Sequence, residues 1–222
     1  MAPPPLSAGL ETCQTSALPA QRVASFVGSM PAYKGADRMQ MRFELHRREP
    51  GAKLWHTVPG LKGFGVWESS MPARAGFVFH KRVDGLRVPA SYRAIVRFRW
   101  LAADGTVVRR ARKRTPACEQ PDLRPDLTAI AVRAVFDARP AFALYTVTIR
   151  NDGRSPAGPF AVQVAGAVTE VAALAAGGQI DVAIFAPACL RGSIVRAVVD
   201  VDRRVDESDE RNALKRGCPL AG

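Results

Sequence analysis

Two stretches of this chain alternate apolar and polar residues, one without a break and the other broken only at Ile95, and they fix its class. In residues 38–46, Met39, Met41, Phe43 and Leu45 fall on one side, and Gln40, Arg42, Glu44 and His46 on the other. In residues 92–100, Tyr92, Ala94, Val96, Phe98 and Trp100 share a side; Arg93, Arg97 and Arg99, with Ile95, take the other. A period of two belongs to strands with one buried and one wet face.

The rest of the chain reads the same way. Short strands are expected over 22–27, 53–58, 77–83 and 107–115, the last returning from a hairpin turn at Asp104-Gly105. Further strands are expected at 127–132, 145–149, 159–164, 168–174, 179–185, 193–201 and 211–215. Asn151-Asp152-Gly153 reads as the turn that joins 145–149 to its answering strand. Gly60-Leu61-Lys62-Gly63-Phe64-Gly65 lacks the Lys-Ser/Thr ending of a phosphate loop and reads as an ordinary loop. Strands and turns at near-regular spacing predict an all-β protein of two tandem immunoglobulin- or fibronectin-III-like β-sandwiches. The expected layout is a disordered lead-in at 1–12, a basic sandwich at 13–118, a proline-stiffened linker at 119–125, a second sandwich at 126–218 and a tail at 219–222.

Four cysteines stand at 13, 118, 189 and 218, with no C-x-x-C pair, which argues against structural zinc. Three pairings are possible. The proline-bearing joint decides between them, because Cys13 and Cys118 lie before it and Cys189 and Cys218 after it. One bond per domain is expected, each worth roughly 3–5 kcal/mol. The alternative is four free thiols in a cytosolic protein. The start, Met-Ala-Pro-Pro-Pro, lacks the regions of a signal peptide, so the expectation is a mature secreted portion or a cytosolic chain. No run of eighteen apolar residues suggests a membrane span.

Charge is uneven. Residues 1–118 hold twenty Lys and Arg against seven Asp and Glu, while the remainder is near neutral. Arg93, Arg97, Arg99, Arg110, Arg112 and Arg114 are expected on one face of adjoining strands, with Arg109 and Lys113 as the alternatives if the register slips. Such a face attracts an anionic polymer: cell-wall phosphate polymer, acidic polysaccharide or nucleic acid. The plainer reading is a solvated face. Six carboxylates crowd into residues 200–210. Asp200, Asp202, Asp206, Glu207 and Glu210 have the oxygen chemistry for calcium. The favoured reading is structural, with these groups bonded to turn amides and arginines. His46, His56 and His80 show no metal spacing, and no G-x-S-x-G elbow is present. No catalytic residue is expected.

Three runs resemble the CARDB domain, a bacterial cell-adhesion-related module, over about 126–218. They are residues 145–164, residues 171–177, and the closing group Asp200, Asp202, Val205, Glu207, Ser208, Glu210 and Asn212. Valine at 201 and alanine at 213 depart from the family pattern. The resemblance implies a seven-strand immunoglobulin-like sandwich on a secreted or surface bacterial protein, serving adhesion or spacing without catalysis. No family is recognised for 14–118. The expected partner is a protein or cell-surface polysaccharide, and the expected state is a monomer. Two other readings stand beside this: an anionic-polymer binder, and an accessory region of an exported hydrolase.

Overall fold

A computed structural model describes residues 2–136 and 141–218. The chain divides into two compact units between Pro121 and Asp122.

The first unit contains β1 (Ser7–Gln14), β2 (Val23–Pro31), β3 (Arg38–Arg48), β4 (His56–Thr57), β5 (Trp67–Ser69), β6 (Gly76–Val83), β7 (Ala90–Leu101), β8 (Val107–Arg114) and β9 (Cys118–Gln120). Strands β1-β2-β6 form one sheet; β4-β3-β7-β8 form the other, with β5 on β3 and β9 on β7. All pairings are antiparallel. The apolar sides of β3 and β7 face inward as their alternation requires. Met41, Phe43, Phe98 and Trp100 are buried with Phe26 and Met30 of the opposite sheet. Each such side chain contributes about 1.5–3 kcal/mol on burial. Trp100 keeps its indole N–H bonded to the Pro31 carbonyl at 2.8 Å. The sheets approach so closely at Gly28 that a Cβ there would lie 2.8 Å from the Met41 sulfur.

The second unit contains β10 (Leu127–Phe136), β11 (Phe142–Asn151), β12 (Phe160–Val164), β13 (Ala167–Val171), β14 (Gln179–Pro187), β15 (Ile194–Val199) and β16 (Ala213–Gly217). Sheets β10-β11-β14 and β13-β12-β15-β16 close a seven-strand sandwich. Tyr145, Val147, Ile149, Phe160, Val162, Val195, Ala197 and Val199 fill its core.

Several expectations change. The lead-in is not disordered throughout: β1 pairs with β2 from Ser7 to Gln14, and Leu6, Ala8 and Leu10 pack on the core. The stretch 119–125 is not a free linker. Glu119 and Gln120 belong to β9, and Gln120 is buried, donating to the Gln14 carbonyl. On the other side, Arg124 bonds Asp122 and Asp206 of the second unit. Residues 145–149 and 159–164 do not form a hairpin; β11 pairs with β10 and β14, and β12 crosses to the other sheet. The buried Asn151 side chain explains the crossing. It donates to the Ser155 and Leu174 carbonyls and accepts from the amides of Asp126 and Gly153. A Cβ at Gly153 would lie 2.5 Å from that same backbone. Val201 leaves the β15 row and is 37% exposed, and the last strand begins at Ala213 rather than 211. The tail at 219–222 lies outside the described residues.

Candidate anion-binding face

The wet faces of β3, β7 and β8 form one continuous surface, because residues directly opposite on antiparallel strands point the same way. Arg97 opposes Arg112, Arg99 opposes Arg110 and Ile95 opposes Arg114. On the other side of β7, Arg42 opposes Arg97, Gln40 opposes Arg99 and His46 opposes Arg93. All six sequence-predicted arginines therefore share this face. Arg109 opposes the core residue Trp100 and Lys113 opposes Val96, so both take the other side. Arg109 stacks there on Tyr33 and Trp100.

Charge on this face is poorly balanced. Glu44 binds Arg42 at 2.5 Å and Arg97 at 2.9 Å. Burial pushes the Glu44 carboxyl up, but the hydrogen bonds from Arg97 and Arg42 outweigh it and hold the group below the usual carboxylate range. Glu119 lies at the end of the face and accepts from Ser91. Among the described residues no carboxylate pairs with Arg93, Arg99, Arg110, Arg112 or Arg114. Arg99 donates instead to the Gln40 amide oxygen. Nε of Arg42, Nε of Arg93 and Nδ1 of His46 are buried without a hydrogen-bond partner among the described residues. Burial, then Arg93, pushes the His46 imidazole down. Burial, then Arg114, lowers Arg93 itself. Ile95 is 2% exposed although it points outward, as an apolar residue does beneath long arginine stems.

Four further residues join from segments that sequence spacing does not connect. Arg93 lies 4.0 Å and Arg48 4.8 Å from the Trp55 ring. Arg99 lies 4.0 Å and Arg42 5.3 Å from the Trp67 ring. The alternation of β3 marks Arg42 as wet. Nothing local places Trp55 and Trp67 beside β7.

The acidic stretch after β15 is a tied loop. Asp200 is 2% exposed, and its carboxylate accepts the amides of Arg204 and Val205, both at 3.0 Å. Asp200 and Arg203 adopt φ of 48° and 53°, which makes the turn tight. Glu207 is buried and accepts from the Leu127 amide and the Asn212 side chain, each at 2.5 Å. It thereby pins the start of β10 to the loop before β16. Burial raises Glu207 to about 7, against those two hydrogen bonds. Asp202 pairs with Arg204, and Asp206 with Arg124. Glu210 is exposed. The five candidate calcium ligands thus spend their oxygens on separate partners or point to solvent. Among the described residues no group of three His, Cys, Asp or Glu can hold a metal.

The disulfides Cys13–Cys118 and Cys189–Cys218 each join the two sheets of one sandwich. The first ties β1 to β9; the second ties the segments that follow β14 and β16. Tyr145 steadies the latter, donating to the Pro187 carbonyl and accepting from the Cys189 amide. His80 bonds Glu11 at 2.8 Å on the surface, and His56 is exposed on β4. The three histidines lie on different strands. No helix of the described residues is long and apolar enough to cross a membrane.

Similar solved structures include the class 5 fimbriae chaperone CfaA, at 11% identity and a TM-score of 0.28, covering 96% of this chain and 100% of that one. Another is red sea bream transglutaminase, at 12% and 0.31, covering 97% of this chain and 31% of that one. A third is a chain of the CsuC-CsuE chaperone-tip adhesion subunit complex of Acinetobacter baumannii, at 10% and 0.29, covering 94% and 97%. Likenesses of this size carry no argument about function. No curated protein matches. The second unit is another matter: over residues 121–216 it matches the model of the CARDB family.

Proposed function

We propose that this chain is a non-catalytic, secreted or surface-borne adhesion module of bacterial type that holds an anionic polymer through its first domain. Three things support the reading. Residues 121–216 match CARDB. Each domain carries a disulfide, which suits an oxidising compartment. The third carries the most weight: Arg42, Arg97 and Arg112 lie in one cross-strand row with a single carboxylate between two of them. Like charges directly opposite each other weaken a sheet. An array that its own fold leaves unneutralised is suited to an external polyanion.

Retention on immobilised heparin tests this. Replacing Arg110, Arg112 and Arg114 by serine should lower the eluting salt concentration clearly. Replacing Arg196, Lys215 and Arg216, equally exposed in the second unit, should change it far less. Equal loss in both variants, or retention unchanged in the first, would remove the face as the binding site.

A further inference from the structure

The basic face carries more than charge. Its cations are all arginines, and two indoles lie against them. Trp67 enters from β5, opposite Arg42; Trp55 enters from the segment before β4 and lies against Arg48. Residues 42 and 48 are six positions apart on β3, so the two rings stand about 20 Å apart along the strand. Both are half-exposed, and each carries a guanidinium 4.0 Å from its centroid. In each pair the guanidinium lies over the ring, so indole and arginine make a two-layer stack to which a further flat group can add. Beside them the pairs Arg99–Arg110 and Arg97–Arg112 follow one another at roughly 7 Å along β7 and β8.

A ligand that uses the whole face needs two properties. It must repeat an anionic group along its length, and it must offer flat groups free to leave their own stack. A sulfated or uronic polysaccharide has the first property only. Its pyranose rings rest on an indole through C–H groups and gain nothing from a guanidinium plane. A nucleic-acid duplex keeps its bases inside. An unpaired strand has both properties, because its bases stack on aromatic rings and on arginine planes alike. We propose that the face binds single-stranded nucleic acid, with phosphates on Arg97, Arg99, Arg110 and Arg112 and bases on Trp55 and Trp67. This rests on the anionic-polymer reading above and narrows it. The span between the rings suits a short site, at the low end of the roughly 4–16 nucleotides that single-strand binding domains cover.

The test is a titration of the whole chain with fluorescein-labelled oligo(dT) about ten nucleotides long, a duplex of similar length and a heparin oligosaccharide of similar charge, at about 50 mM salt. Oligo(dT) should bind more tightly than the duplex and quench tryptophan emission. Trp55→Ala and Trp67→Ala should each weaken oligo(dT) roughly tenfold and leave heparin nearly unchanged. Trp55→Phe and Trp67→Phe, which keep a ring in place, should retain most of the oligo(dT) affinity. Arg112→Ser should weaken every polyanion. Heparin binding without oligo(dT) binding, or tryptophan variants that bind oligo(dT) like the parent, would overturn the assignment and leave the broader reading standing. Failure to bind any of the three would sink both.

Discussion

Arg97 on β7 and Arg112 on β8 stand directly opposite each other on an outward face, and no carboxylate lies between them among the described residues. Arg112→Glu would convert this opposed pair into an attractive one. Thermal stability at low salt should rise by about 0.5 kcal/mol, while affinity for heparin falls. Melting curves and binding isotherms on the same preparation check both. A variant that lost stability and affinity together would show that the row serves the fold.

His46 makes the same face sensitive to pH. It is surrounded by Arg93 opposite on β7, Arg97 and Arg112 further along the face, and Glu44 on its own strand. Burial and then Arg93 depress its imidazole below 6.5, so the folded chain disfavours the charged form. That contribution to stability is complete above pH 6.5 and is lost as pH falls through the depressed value. A bound polyanion reverses the local field and favours protonation. Affinity for heparin should therefore increase from about pH 8 to about pH 5, with a much flatter profile for His46→Gln. Identical profiles for the two proteins would contradict this.

Glu207 gives the second domain the opposite dependence. Its folded pKa of about 7 lies above the ordinary 4.5. The stability it contributes is complete below pH 4.5 and is lost as pH rises through 7, by ~3 kcal/mol. Glu207→Gln removes the charge. Its oxygen can keep the Leu127 amide. Once the Asn212 amide, whose NH2 now faces residue 207, turns over, the glutamine NH2 can donate to the Asn212 oxygen, which has no partner among the described residues. Urea unfolding should find the variant close to the parent at pH 4.5 and more stable at pH 8. Glu207→Ala should be destabilised at both. A parent more stable than Glu207→Gln at pH 8 would refute the account.

The two cystines close loops of different length, with sequence separations of 105 and 29. Loop entropy assigns about 5 kcal/mol to the first and about 4 kcal/mol to the second. Cys13→Ser/Cys118→Ser and Cys189→Ser/Cys218→Ser should each destabilise chiefly the domain that carries the change. Domain-resolved hydrogen exchange would show it; equal loosening of both units by either variant would contradict independent folding.

The strands and their faces were legible because β3 alternates cleanly and β7 does so except at Ile95, and the core uses that alternation. The register of β7 on β8 was left open by the sequence, with Arg109 and Lys113 as alternatives. A hairpin at Asp104-Gly105 admits a slip of one residue that flips the faces, and the pairing does shift between Trp100 and Leu101. What sequence did not reveal depends on distant partners. β1 lacks a strong pattern of its own and is held as an edge by β2 and Cys13. Asn151-Asp152-Gly153 carries the letters of a hairpin, yet the Asn151 side chain bonds backbone on both sides and sends the chain to the other sheet. Trp55 and Trp67 reach the basic face only because β4 and β5 pair with β3. For the acidic stretch, sequence set calcium beside a structural reading and favoured the second. Which backbone amides Asp200 and Glu207 accept depends on a tight turn and on the distant start of β10, neither of which spacing shows.

The central claim is that the arginine face of the first domain holds a polyanion. The most direct measurement is the affinity for heparin as a function of salt, for the parent and for the Arg110→Ser/Arg112→Ser/Arg114→Ser variant. Counterion release predicts a steep linear fall of log K with log salt for the parent, and a weaker, shallower line for the variant. Coincident lines for the two proteins would contradict the claim.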